Sequence, residues 1–357
     1  MKLTEIDPNL ATKGIENIDF CWLDAEQKPF QIYGLLPKTE DCFQRIPTAV
    51  AETVSPNVAS FNHAPTGGRV RFQTDSASVA IRATMPENGL LPHFTKLGQS
   101  GFDLYRCDGG DYEHIGSFLP DGNNGSYQSS VRTDGKLHTY MIHFPLFSRV
   151  QKLMIGLHPN AEILEPEPYR YNKPILFYGS SITAGACTSR PGNSYPAMIS
   201  QLLNCDFVNL GWSGSARAER AMAEYLATLD PLVFVYDYDH NAPDPDYLRE
   251  THERLYRIFR EAHPDTPIVM VSAPTDPEPE YPENRQKRKN IILQTYRNGL
   301  ANCDAHLYFV DGEHLLDGEL QCACTIEKTH PNDLGYYRMA IGIGKAVRQA
   351  IAEREGN

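Results

Sequence analysis

Apolar and polar positions follow two different rhythms along this chain. Up to about residue 165 they alternate. Arg69-Val-Arg-Phe-Gln73 and Val79-Ala-Ile81-Arg-Ala83 put an apolar side chain at every second position, and His138-Thr-Tyr140-Met-Ile142-His-Phe144 does so less strictly. Period two predicts strands with one buried face. Asp108-Gly-Gly, Asp121-Gly-Asn-Asn-Gly125 and Thr133-Asp-Gly-Lys136 supply turns between them. Many short strands with few helical stretches predict an all-β sandwich, jelly-roll-like, over residues 1–165.

Beyond residue 174 the rhythm changes. Between the two regions lies Glu165-Pro-Glu-Pro-Tyr-Arg-Tyr-Asn-Lys-Pro174, whose prolines disfavour helix and remove ladder donors, as in a linker. Short apolar runs then stand at 175–178, 206–210, 232–236, 267–272 and 307–310. Helix-compatible stretches lie between them at about 194–204, 217–229, 246–262 and 284–301, and one follows at 333–352. Strands alternating with helices predict a parallel sheet with right-handed crossovers, an α/β three-layer domain over 174–357. There are no internal repeats.

The first of these runs ends abruptly, Ile175-Leu-Phe-Tyr-Gly179-Ser-Ser181. A serine is thereby placed at the carboxyl end of a parallel strand, where open α/β sheets hold their ligands. A serine hydroxyl is a poor nucleophile without a base in hydrogen-bond reach, and the base needs a group to orient it. Near the C-terminus, Glu327-Lys-Thr-His330-Pro offers both: His330 as base and Glu327 as orienting acid for the nucleophile Ser181. A tetrahedral intermediate also needs donors aimed at its oxyanion. The N–H of Ser181 is one. Gly214, after the second strand, and Asn241, after the third, supply two more. This chemistry requires no metal and no cofactor.

Taken in order, these residues resemble the four blocks of the SGNH (GDSL-type) hydrolases: a Gly-Asp-Ser serine, a glycine, an asparagine and an Asp-x-x-His. Gly179-Ser-Ser181 looks like the first block with Ser180 in place of aspartate, Gly214 the second, Asn241 the third and Glu327-Lys-Thr-His330 the fourth. Gly101-Phe-Asp103-Leu-Tyr105 resembles the Gly-x-Asp-Leu-Tyr signature of a β-domain that precedes some SGNH esterases. The resemblance implies an esterase that works through an acyl-enzyme on Ser181. It also implies short-chain substrates, first an acetyl ester of a sugar. Two departures stand out. Glu327 is one methylene longer than the family's aspartate, so a Ser-His dyad oriented by a backbone carbonyl is the alternative, and Asp239 rather than glycine stands two residues before Asn241. The same acyl-enzyme would serve an acyltransferase, and a decayed site would leave a carbohydrate-binding protein.

Composition narrows the partners. The formal charge is −12 and 41% of the 357 residues are hydrophobic, an ordinary soluble core. An acidic balance argues against nucleic acid and anionic membrane surfaces, leaving a small-molecule or oligosaccharide ester as the expected partner. Met1-Lys-Leu-Thr-Glu-Ile-Asp-Pro has no signal-peptide core and no apolar run nears the roughly 18 residues of a span, so a cytoplasmic location is expected. Eight cysteines scattered through a long chain read as reduced thiols, and Cys322-Ala-Cys324 is too tight for the usual zinc spacing. Asp237-Tyr-Asp239 at a strand end offers a competing phosphatase-like or divalent-metal reading, although Asp237 is better placed to support the loop of Asn241. Gly342-Ile-Gly344 suits close helix packing. His93, Trp212 and Tyr238 are candidates to line the pocket.

Overall fold

The computed structural model describes residues 19–38, 42–86, 89, 91–120 and 125–355. Asp121-Gly-Asn-Asn and the N-terminal segment read for a leader lie outside the described residues. The alternating half forms β1 (Cys21–Asp24), β2 (Gln31–Tyr33), β3 (Arg69–Thr74), β4 (Ser78–Thr84), β5 (Phe102–Asp108), β6 (Asp111–Phe118), β7 (Tyr127–Arg132), β8 (His138–His143), β9 (Lys152–Leu157) and β10 (Ile163–Leu164). One antiparallel sheet has the order β1-β9-β4-β7; the other runs β10-β3-β8-β5-β6, with β2 also on β3. Val70, Phe72, Val79, Ile81, Leu104, Ile142 and Ile155 fill the space between them. Val70, Phe72, Val79, Ile81 and Ile142 are apolar positions of the period-two pattern.

Arg69 and Arg71 of β3 are also buried, because that face meets the other half of the molecule. Arg69 pairs with Asp206, donates to the Phe207 carbonyl at 3.1 Å and lies over the Phe207 ring. Arg71 lies over the ring of Tyr169, 4.0 Å from its centroid. Tyr169 belongs to the proline-rich segment 165–174, which carries neither helix nor strand but is packed against both halves.

Short helices at Thr48–Val54, Pro56–Phe61 and Lys96–Ser100 interrupt the β-rich half. At five to seven residues they are too short to show a helical period in sequence. The first two do not serve the sandwich. Ile46, Ala51 and Val58 sit in one core with Leu176, Tyr178, Leu210 and Trp212 of the second half.

That second half is built on a parallel sheet of β11 (Ile175–Gly179), β12 (Phe207–Gly211), β13 (Val233–Asp237), β14 (Ile268–Val271) and β15 (Leu307–Val310), in the order β12-β11-β13-β14-β15. Successive side chains of β11 go to opposite faces: Leu176 and Tyr178 to one core, Ile175 and Phe177 to the other. Both faces are buried, so the strands read as unbroken apolar runs. Helices Arg220–Leu226, Pro245–Ala262 and Pro282–Ala301 cover the first face, and Tyr195–Leu203 and Asp333–Glu355 the second. The result is an α/β three-layer sandwich preceded by a β-sandwich. Helix Pro245–Ala262 starts where Asp244 accepts the Tyr247 N–H at 2.8 Å, with proline at its first position. A Cβ on Gly342 would meet Leu315 at 2.3 Å, so this glycine does let the last helix pack closely.

β12 and β13 flank β11 on opposite sides, so the chain changes direction there. A crevice opens at such a switch point, beyond the carboxyl ends of the strands. No helix among the described residues is long and apolar enough to cross a membrane, and no disulfide joins any of them.

Candidate active site

Ser181 opens a single helical turn, Ser181–Ala184, immediately after β11. The turn is held sharply. Ser180 caps it by accepting the Ile182 N–H at 3.1 Å. A side chain on Gly179 would put Cβ 1.8 Å from Asp237 Oδ1 and 2.0 Å from Thr183 Oγ1, so only glycine fits. The Ser181 hydroxyl then lies 2.8 Å from His330 Nε2.

His330 is oriented by Glu327. The carboxylate accepts from the imidazole Nδ1 in a short hydrogen bond, and from the His330 backbone N–H at 2.9 Å. With Nδ1 donating, Nε2 holds the lone pair that faces Ser181. The extra methylene of glutamate is absorbed by the loop. Lys328 takes a left-handed φ of 74°, and Ile326 donates to the His330 carbonyl at 2.9 Å, folding the carboxylate back over the ring. Burial pushes the Glu327 carboxyl up, but the backbone N–H groups of His330 and Thr329 and the imidazole together hold it below the usual range. It is an anion at neutral pH.

The loops after β12 and β13 begin level with Gly179, since Gly179 pairs with both Gly211 and Asp237. Gly214 has a φ of +64° and no atom within 4 Å of where a Cβ would stand. Asn241 accepts the Ala216 N–H on Oδ1 at 3.2 Å, which orients its amide. Among the described residues, no acceptor meets the N–H of Ser181, the N–H of Gly214 or Nδ2 of Asn241. The structure therefore brings Ser181, His330 and Glu327 into one hydrogen-bonded relay, with three uncommitted donors on adjoining loops.

Two buried arginines that sequence reading missed hold those loops. Arg45, from the β-rich half, donates to the Gly211 carbonyl at 2.6 Å and to that of Phe61 at 2.8 Å, with its guanidinium over the Trp212 ring. Arg288 donates to the carbonyls of Asp239 at 3.0 Å and Ala242 at 2.9 Å, on either side of Asn241. Neither residue has a local pattern. A lone arginine reads as surface until the carbonyls it meets are known.

The competing acidic motif goes elsewhere. Asp237 accepts from the hydroxyls of Thr183 and, at 3.0 Å, Tyr195, and burial pushes it up to about 6. Asp239, not Asp237, supports the Asn241 loop, by accepting from Ala273 N–H at 3.1 Å and pairing with Arg288. Both carboxylates are at most 4% exposed and committed to protein donors. Trp212 and Tyr238 are core residues, 0% and 1% exposed, and do not line a pocket. His93 does approach the site, its ring centroid 5.7 Å from that of His330. Cys187 is nearby as well, but burial pushes its thiol up to about 12, so it is no rival nucleophile at neutral pH.

Residues 172–348 match the model of the GDSL-like lipase/acylhydrolase family, and residues 20–163 match that of the GxDLY N-terminus of SGNH-type esterases. A protein designated a GDSL-like lipase from Bacteroides ovatus is 28% identical, with a TM-score of 0.84 over 94% of this chain and 98% of that one. The salicylyl-acyltransferase SsfX3 of a tetracycline biosynthetic pathway is 16% identical, with a TM-score of 0.73 over 92% of this chain and 97% of its own. An acetyl xylan esterase from the rumen bacterium Butyrivibrio proteoclasticus is 11% identical, with a TM-score of 0.60 over 93% and 99%. The last two share the fold. No curated protein matches the chain.

Proposed function

Since this chain belongs to the GDSL-like lipase/acylhydrolase family of SGNH-type esterases, GxDLY domain included, we propose that it is a serine esterase for short-chain esters, acetyl esters of carbohydrates foremost. The observation that carries this is the relay from Ser181 through His330 to Glu327. His330 Nε2 takes the Ser181 proton as Oγ attacks the ester carbonyl. The N–H groups of Ser181 and Gly214 and the amide of Asn241 receive the oxyanion. His330 then protonates the leaving alcohol, and an acyl group remains on Ser181. Water gives a proton to His330 as it attacks, and His330 passes it to Ser181 Oγ as the acid leaves. Glu327, kept ionised, stabilises the imidazolium formed in both halves of the cycle. The acetyl and carbohydrate parts of the proposal draw on the acetyl xylan esterase that shares the fold.

A second reading is acyl transfer to an alcohol other than water. The similarity of the whole chain to a salicylyl-acyltransferase favours it, at a TM-score above that of the xylan esterase. A decayed site would leave a carbohydrate-binding protein; the hydrogen bond between Glu327 and His330 speaks against that reading.

The test is hydrolysis of p-nitrophenyl acetate, butyrate and octanoate by wild type and Ser181→Ala. Turnover of the acetate is expected to fall by roughly 10³-fold or more in the variant. Equal rates in both proteins would refute the esterase. Repeating the assay with a sugar or alkyl alcohol separates the two readings. Acceleration with formation of the new ester indicates transfer; an unchanged rate of acid release indicates hydrolysis.

A further inference from the structure

Three side chains from separate parts of the chain converge beside the nucleophile: His93 from the β-rich half, Cys187 just past the Ser181 turn, and His330. Their donor atoms all lie within 4.8 Å of one another. Ester hydrolysis makes no use of His93 or Cys187. We propose that the trio is an inhibitory site for a borderline-soft divalent cation, zinc first, which silences the enzyme by taking the Nε2 lone pair of His330 away from Ser181. The effect on rate rests on the serine-esterase reading; the binding does not.

The donor set is two imidazoles and a thiol, which suits zinc and not magnesium or calcium. His330 is already arranged as a metal ligand would be. Its Nδ1 donates to the Glu327 carboxylate, leaving the Nε2 lone pair on the Ser181 side, and such carboxylate–histidine pairs orient imidazoles on zinc. The other two donors are tied together. The Thr95 hydroxyl, two residues from His93, is shared between the carbonyls of Thr188 at 2.8 Å and Ser189 at 3.0 Å, next to Cys187. Cys187 itself is held at a φ of +68°, a conformation that a non-glycine residue adopts infrequently. Tetrahedral zinc needs donors about 3.3–3.8 Å apart. His93 is exposed, so its ring is able to swing inward and close the difference. As the sulfur–metal bond forms, the thiol proton leaves to solvent. Water or the Ser181 hydroxyl takes the fourth position.

The experiment compares wild type, His93→Ala, Cys187→Ser and Ser181→Ala after treatment with EDTA. Zinc is titrated against p-nitrophenyl acetate hydrolysis, with each active variant scaled to its own metal-free rate. Wild type is expected to lose activity at micromolar zinc and regain it with excess EDTA, with no response to magnesium. His93→Ala and Cys187→Ser should each need at least about tenfold more zinc for half-inhibition. Cobalt(II) supplies a readout independent of turnover. A thiolate-to-cobalt charge-transfer band should appear in wild type and Ser181→Ala and be absent from Cys187→Ser. No band in wild type, or equal zinc sensitivity in all active proteins, would overturn the proposal. A band in a wild type that hydrolyses nothing would keep the metal site and sink the esterase reading instead.

Discussion

At the scale of the residue, Glu327 reaches the imidazole because the chain turns back on itself between the two. The left-handed Lys328 brings the carboxylate under both the ring and the backbone N–H of His330. Its charge and its length are therefore separable. Glu327→Gln keeps the length and removes the charge, and kcat for p-nitrophenyl acetate is expected to fall by about 10²–10⁴-fold with KM nearly unchanged. Glu327→Asp keeps the charge but withdraws it by roughly one C–C bond, 1.5 Å. It is expected to lose less than the glutamine variant. A glutamine variant with wild-type kcat would revive the Ser-His dyad oriented by a backbone carbonyl. Ser181, His330 and Glu327, which hydrogen bonds join, were singled out in the sequence from a strand end and from the segment ahead of the last helix; Gly214 and Asn241 were singled out by the order of the blocks, and their part in holding an oxyanion is proposed. The partners of Thr183 and Asp237 were not legible there, since the bond between them joins positions 54 residues apart, in the turn after β11 and at the end of β13.

At the scale of the element, the site is a set of loops leaving the carboxyl ends of the parallel strands, each needing its own restraint. The turn Tyr238–Asn241 is restrained by Arg288, from helix Pro282–Ala301. Arg288→Met leaves two carbonyls and the buried Asp239 without their cation. Removing one partner of a buried ion pair costs about 3–5 kcal/mol. The loss should depend on pH in a definite direction. Burial already pushes the Asp239 carboxyl up, and Arg288 opposes it. Without Arg288, the folded-state pKa of Asp239 rises further above its unfolded value. The folded variant then holds a proton that the unfolded chain releases, so its stability falls as pH rises from about 4. Denaturant melts of wild type and variant at pH 5 and pH 8 should show a larger gap at pH 8; a constant gap would mean that Asp239 is not the group responsible. The parallel strands were legible to within one residue at every end, because burial on both faces makes them apolar runs. The expected helix at 217–229 is only Arg220–Leu226, since Ala218 is held at a φ of +51° with its carbonyl bonded to Arg254.

At the scale of the whole molecule, the change of rhythm near residues 165–174 marks a change of secondary structure, but packing ignores it. Ile46, Ala51 and Val58 complete a core whose other members come from the parallel sheet and its helices. Arg45 holds the loop after β12, and Arg69 neutralises Asp206 at the start of that strand. The Gly-x-Asp-Leu-Tyr motif faces the same boundary. Asp103 accepts the Gly192 N–H at 2.8 Å and pairs with Arg190, while Ser189 and Asn193 of the same loop bind Asp333, three residues after His330. The first half thus reaches both the loop after β12 and the histidine loop through hydrogen bonds. A fragment of residues 166–357 would expose the apolar patch that Ala51 and Val58 cover, and would leave Asp206 without Arg69. It is expected to lack cooperative thermal unfolding and to hydrolyse p-nitrophenyl acetate no faster than Ser181→Ala. A fragment that melts cooperatively with full activity would make the β-sandwich an appendage. A fragment that folds but turns over slowly, at unchanged KM, would assign to the sandwich the narrower task of setting the two catalytic loops.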